Sequence, residues 1–136
     1  MKETLSGFYF RTSCGQADIV LQATPMGKDL AISIFGGQCP HIGAVALAQP
    51  RPSLRDPDCV SATASVITLS GHKEDMLARN VANRVAATAS CVVSVSCGIH
   101  YEAATPEQIC EIEIFVETLT VQLLQALQRQ RAADLK

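Results

Sequence analysis

A chain of 136 residues, 48 % of them apolar, has the length of one domain and can bury a core without a metal or disulfide staple. Its net charge of −2 excludes a general electrostatic pull toward nucleic acid or an anionic membrane, and its apolar runs fall short of the ~20 residues of a membrane-spanning helix. Aromatic residues make up only 4 % and Trp is absent, so the core has to be built from Ala, Val, Ile and Leu.

The opening MKETLSGFYF lacks the apolar stretch of a secretory signal, which predicts a cytoplasmic protein. The six cysteines, Cys14, Cys39, Cys59, Cys91, Cys97 and Cys110, are therefore expected to be free thiols, several of them small core residues. No C-x-x-C spacing marks a zinc knuckle. Cys91 and Cys97 lie in one predicted strand, too far apart to bridge.

GFYFRTS (7–13) reads as a first strand. ADIVLQATP (17–25) and DLAISIFGG (29–37) alternate apolar and polar residues and are joined by a short turn, a hairpin signal. HIGAVALAQ (41–49) reads as a fourth strand, rich in Gly and Ala. PRPSLRDPD (50–58) is punctuated by prolines and is expected to be irregular. CVSATASVITLS (59–70) reads as a fifth strand.

The period then changes. In GHKEDMLARNVANRVAATAS (71–90), Met76, Leu77, Val81, Val85 and Ala89 recur at helical spacing. CVVSVSCGI (91–99) reads as a sixth strand, so 59–99 is a strand–helix–strand unit, most simply a right-handed parallel crossover. Thr105, Pro106 and Gln108 form a helix start with a capping box. Ile109, Ile112, Phe115, Val116, Leu119, Leu123 and Leu127 form its apolar stripe, while Ile114, Val121 and Leu124 lie off it. That helix is either deeply packed or also meets a partner subunit. The polar tail 128–136 is expected to fray. These elements predict one α+β domain over 1–136, with about six strands in a mixed sheet, a crossover helix and a long C-terminal helix.

His41, His72 and His100 all stand at predicted strand ends, beside Gly43, Gly71 and Gly98. Ser70-Gly71-His72-Lys73 joins strand five to its helix. Free N–H groups, the helix dipole and a lysine there would suit a phosphate; alternatively Ser70 only caps the helix and Glu74 and Asp75 complement the dipole. The spacing is not that of a Walker loop. Arg51 is held between Pro50 and Pro52 and could present its fork to a phosphate or carboxylate, or be an ordinary surface arginine in a rigid turn. Weaker readings are a metal held by the three histidines and a Cys39 nucleophile with His41 as base. Ser61, Thr63 and Ser65 share one strand face and either line a pocket or pack small against the helix.

GGQCPHIGAVALAQPRPSL, SATASVITLSGHKED and VSCGIHYEAATPEQI together resemble the prenylated-flavin chaperone family, the LpdD-like proteins encoded beside UbiD-type decarboxylases such as gallate decarboxylase. The resemblance covers roughly residues 15–127, and the combination of P-H-I-G-A-V-A, P-R-P-S-L, G-H-K-E-D and G-I-H makes it specific. It implies a homodimer with a fold related to proteasome assembly chaperones. It implies binding of prenylated FMN, with unmodified FMN an open alternative, and delivery to an apo UbiD-type decarboxylase without turnover; a flavin prenyltransferase is a candidate second partner. The residues carried over as cofactor-binding are His41, Ile42, Gly43, Arg51, Pro52, Ser53, Gly71, His72, Lys73 and His100, with no catalytic or metal-binding residue. Tyr101 departs from the acidic or small residue expected after G-I-H. The other readings are an accessory subunit of a hydroxyarylic-acid decarboxylase and a protein-only assembly factor that binds no flavin.

Overall fold

The computed structural model describes residues 7–15, 17–69 and 74–135. In chain order the elements are β1 (Phe8–Cys14), β2 (Ala17–Met26), β3 (Asp29–Gly37), β4 (Ala44–Pro52), β5 (Val60–Thr68), α1 (Asp75–Ala89), β6 (Val93–His100) and α2 (Pro106–Asp134). The strands make one mixed sheet in the order β1-β2-β3-β6-β4-β5. β1, β2 and β3 form an antiparallel meander, and β6 pairs parallel to β3. β4 runs antiparallel to both β5 and β6 and lies between them. The β5–α1–β6 unit thus joins two strands of the same direction, as its period change predicts, but steps over β4 to do so.

Alternation explains why the sheet has one covered and one open face. Ile19, Leu21, Ile32, Ile34, Val93 and Val95 point to the covered side and are buried. α1 lies on β4, β5 and β6, while α2 lies on β1, β2 and α1. The Gly/Ala-rich composition of strand four has its reason here. Ala44, Ala46 and Ala48 face the helix side and are buried, and so are Ala78, Ala82, Ala86 and Ala89 of α1. Small residues on both elements let the helix axis approach the sheet closely. The buried stripe of α1 therefore runs through the alanines with Val81 and Val85. Met76, expected on it from spacing, is instead 58 % exposed.

The capping box at Thr105 and Gln108 forms as expected. α2 buries Val116, Leu119, Thr120, Leu123 and Leu124, and leaves Ile109 and Ile114 exposed. Leu124 thus belongs to the packed side although it lies off the stripe. The helix also continues through the polar residues 128–134, where fraying was expected. Arg131 donates to the carbonyl of Ala89 at the end of α1, which ties the last turns down.

The prolines near residue 50, expected to make 50–58 irregular, do not end the strand. β4 runs straight through Pro50, Arg51 and Pro52, paired with β5 to the end. Ser53 N–H donates to the Cys59 carbonyl at 2.8 Å, so odd-numbered residues turn their N–H groups toward β5. The even-numbered prolines therefore face the other edge. β6 pairs with β4 only as far as Ala48, so no ladder bond is lost there. Among the described residues, no helix is long and apolar enough to cross a membrane.

Candidate functional site

The segment 38–43 links β3 to β4 and crosses the open face of the sheet. The strand β4 begins at Ala44, so His41, read as its first residue, lies in this crossing. Its seat is a glycine. A Cβ at Gly98 would stand 1.7 Å from the His41 carbonyl oxygen and 2.3 Å from the carbonyl carbon. Only a residue without a side chain lets the crossing lie directly on β6. Backbone bonds pin both ends: Gln38 N–H donates to the His100 carbonyl at 2.8 Å, and Gly43 N–H to the Cys97 carbonyl at 2.9 Å.

This seat aims the His41 ring. Nδ1 lies 3.0 Å from the Cys39 carbonyl; a carbonyl only accepts, so Nδ1 carries the hydrogen. Nε2 then faces Glu74 Oε1 at 3.1 Å, an ion pair when the ring is protonated. Both side chains are largely buried, 21 % and 11 % exposed. A second close approach makes room for them. A Cβ at Gly43 would stand 2.5 Å from Glu74 Oε2 and 3.1 Å from His41 Nε2. The His100 ring meets the His41 ring edge-on, centroids 6.4 Å apart at 74°. His100 Nε2 is 3.4 Å from Glu102 Oε1, and the Glu102 N–H donates to Gln38 Oε1 at 2.6 Å.

His41, Ile42, Gly43 and His100 are thus brought together at one end of the sheet. Gly71, His72 and Lys73, with Ser70, lie outside the described residues. Leu69 and Glu74, which flank them, both reach this end: Leu69 N–H donates to the Gly43 carbonyl at 2.9 Å, and Glu74 pairs with His41. Arg51, Pro52 and Ser53 stand at the opposite end of β4. The Arg51 Nε donates to Thr63 Oγ1 at 2.7 Å and its Nη1 to the Pro52 carbonyl at 3.1 Å, which lays the guanidinium along β4 and β5. Sequence reading gave Glu74 only a dipole role and overlooked Gln38. Glu74 stands 33 positions from His41, and no local pattern announces such a pair.

Beside His41, the open face holds a depression of about 370 Å³, lined by Phe35, Pro40 and Ile42 with Gln22, Ser33 and Ser96. Apolar and aromatic surface next to imidazole, hydroxyl and amide groups can take a flat heteroaromatic ring and bond its polar edge. Among the described residues, no group of three His, Cys, Asp or Glu is placed to hold a metal ion.

Cys97 lies under the site on the covered face. Burial, and then the charge of Glu74, push its thiol from 9.0 up to about 12. Cys91 is also buried, whereas Cys39, Cys59 and Cys110 are exposed, so the core-residue reading of the thiols holds for only two of these five. The folded chain retains the Cys97 proton over a range in which the unfolded chain releases it. Stability is therefore fully present below about pH 9 and declines from there toward about pH 12, by at most ~1.4 kcal/mol per pH unit for this group. Urea denaturation at a series of pH values should show a shallower alkaline decline for Cys97→Ala than for the parent. Parallel declines would remove this role.

The profile of the family described as the prenylated flavin chaperone LpdD-like domain matches residues 13–128. No curated protein matches the chain. Among solved structures, one of a chaperone complex for yeast 20S proteasome assembly is similar at 14 % identity with a TM-score of 0.49, over 89 % of this chain and 97 % of that chain.

Proposed function

We propose that this chain, which belongs to the LpdD-like prenylated flavin chaperone family, binds prenylated FMN at the His41 end of its sheet and delivers it to an apo UbiD-type decarboxylase without turnover of its own. The observation that carries the reading is the glycine-seated crossing 38–43, which holds His41 beside His100 at the rim of an apolar and hydroxyl-lined depression. The depression suits the extended apolar ring system of a prenylated flavin, and the two imidazoles suit its polar edge. Gly71, His72 and Lys73, which precede α1 in the sequence, would take the phosphate, since a helix N-terminus favours an anion. Arg51, Pro52 and Ser53 would add a second basic contact from another copy of the chain.

The bound group supplies its reactivity to the client enzyme. The chaperone's own residues bind it, orient it and limit its contact with water. A carrier has to let go, so an affinity near micromolar, about −8 kcal/mol, fits the task. A homodimer is part of the reading, with a flavin prenyltransferase as the source of the cofactor and unmodified FMN as the weaker ligand.

The test is anaerobic titration with reduced prenylated FMN and with FMN, followed by transfer to an apo-decarboxylase. Saturable binding and a rise in decarboxylase activity are expected. Lys73→Ala should weaken binding by ~1.5–3 kcal/mol, the range of a charge-assisted hydrogen bond, with the fold intact. Absence of binding to either flavin would favour a protein-only assembly factor. Turnover of an aromatic acid by the isolated chain would favour an accessory subunit of the decarboxylase.

A further inference from the structure

The candidate residues are split along β4, and the strand leaves no way to join them within one chain. Gly43 and Arg51 are separated by about 26 Å of extended strand. Arg51 is held on that strand by Thr63 and the Pro52 carbonyl, so the segment after Ala48 does not fold back. The residue midway between positions 43 and 51 is Leu47, which points out from the open face and is 51 % exposed. Val45 and Ile67, paired across β4 and β5, extend the same apolar surface. Over β6, β4 and β5, the remaining residues of this face are serines, a threonine, a glutamine and Gly98, with Arg51 at one end and His100 at the other as the ionisable groups.

We infer that two copies pack open face to open face about a two-fold axis near Leu47, so that Arg51 of each copy enters the depression beside His41 of the other. This rests on the flavin-site reading above and names what completes that site. An axis through the middle of β4 exchanges its ends. Packed sheets lie about 10 Å apart and cross at about 30°. A strand end about 13 Å from the axis is then displaced sideways by about 7 Å. Arg51 therefore stands about 12 Å, backbone to backbone, from the Gly43 end of the other copy, a gap that its own side chain and the raised crossing 38–43 fill from the two sides.

Charge selects a second copy for this face and rejects it for the exposed side of α2. Over β6, β4 and β5 the axis sends the two Arg51 groups to opposite ends, where each meets histidines that already face the carboxylates of Glu74 and Glu102. Around Ile109 and Ile114, α2 carries Glu107, Glu111, Glu113 and Glu117, of which Glu117 is paired with Arg84 of α1. A two-fold contact there would face this acidic set with itself.

Two measurements test the inference. Sedimentation should find the parent dimeric at tens of micromolar and Leu47→Asp monomeric with unchanged circular dichroism. Differently tagged His41→Ala and Arg51→Ala chains are then co-expressed and the mixed dimer purified. If Arg51 acts across the interface, one of its two sites has both native residues and the other has neither. Reduced prenylated FMN should then bind at half stoichiometry with the parental Kd, while either homodimer binds at least 10-fold more weakly. A dimeric Leu47→Asp, or a mixed dimer with no site of parental affinity, overturns the inference. A dimer that dissociates on Leu47→Asp but binds no flavin in the parent form overturns the flavin reading, and the trans site with it, while leaving the face as the contact.

Discussion

Gly98→Ala is expected to lose ~2–3 kcal/mol of stability, the cost of a forced methyl in a packed site, and its Tm should fall by roughly 10 °C. The added carbon would meet the His41 carbonyl at 1.7 Å and Ile42 N at 3.1 Å, all backbone atoms that no rotamer change can move. β6 cannot yield, because it is hydrogen-bonded to β3 on one side and β4 on the other. The crossing 38–43 has to lift, which strains the bonds from Gln38 to His100 and from Gly43 to Cys97. Flavin affinity should fall with it, since His41 is carried on the displaced segment. Gly43→Ala provides the graded comparison. Its nearest obstacle is the end of the Glu74 side chain at 2.5 Å, which can turn away, so a smaller loss is expected. Ser96→Ala, one pleat from Gly98 on the same face, should stay within about 0.5 kcal/mol. Parental stability in Gly98→Ala would show that the crossing does not rest on β6.

What the sequence made legible follows the range of the interactions involved. β2 and β3 were readable because alternation is local: Ile19, Leu21, Ile32 and Ile34 each repeat the covered side within one strand. The start of α2 was readable because a capping box is complete within four residues. The proline-flanked Arg51 misled because a proline's effect depends on which edge its missing N–H would face, and that is set by where β6 stops. Met76 misled because helical spacing cannot tell a stripe of larger side chains from one of alanines, and β4 offers α1 only alanines to pack on. At the site, glycines beside histidines were a true signal, but it was read as nearness in sequence. Gly98 seats His41, 57 positions away, rather than its neighbour His100.

The pair of His41 and Glu74 yields the second large effect, and its size follows from burial. An exposed pair is worth about 0–1 kcal/mol, whereas removing one member of a buried pair costs ~3–5 kcal/mol. With side chains 21 % and 11 % exposed, this pair falls between those limits. Glu74→Ala is expected to cost ~2 kcal/mol and His41→Ala slightly more, because the latter leaves the more buried member, the Glu74 carboxylate, without this counter-charge. The double variant should be more stable than the sum of the two losses allows, by ~1–2 kcal/mol, as for groups in direct contact. In the proposed site Glu74 would act on the flavin only through His41, as a positioning residue. Glu74→Gln retains its shape and should restore much of the stability lost in Glu74→Ala, while flavin affinity stays below that of the parent because the carboxylate that orients Nε2 is gone. Urea denaturation of the four proteins of the cycle, with flavin titration of the Gln variant, separates the two roles. Additive losses together with parental affinity in Glu74→Gln would reduce Glu74 to an ordinary residue at the start of α1 and leave the orientation of His41 to the Cys39 carbonyl and Gly98 alone.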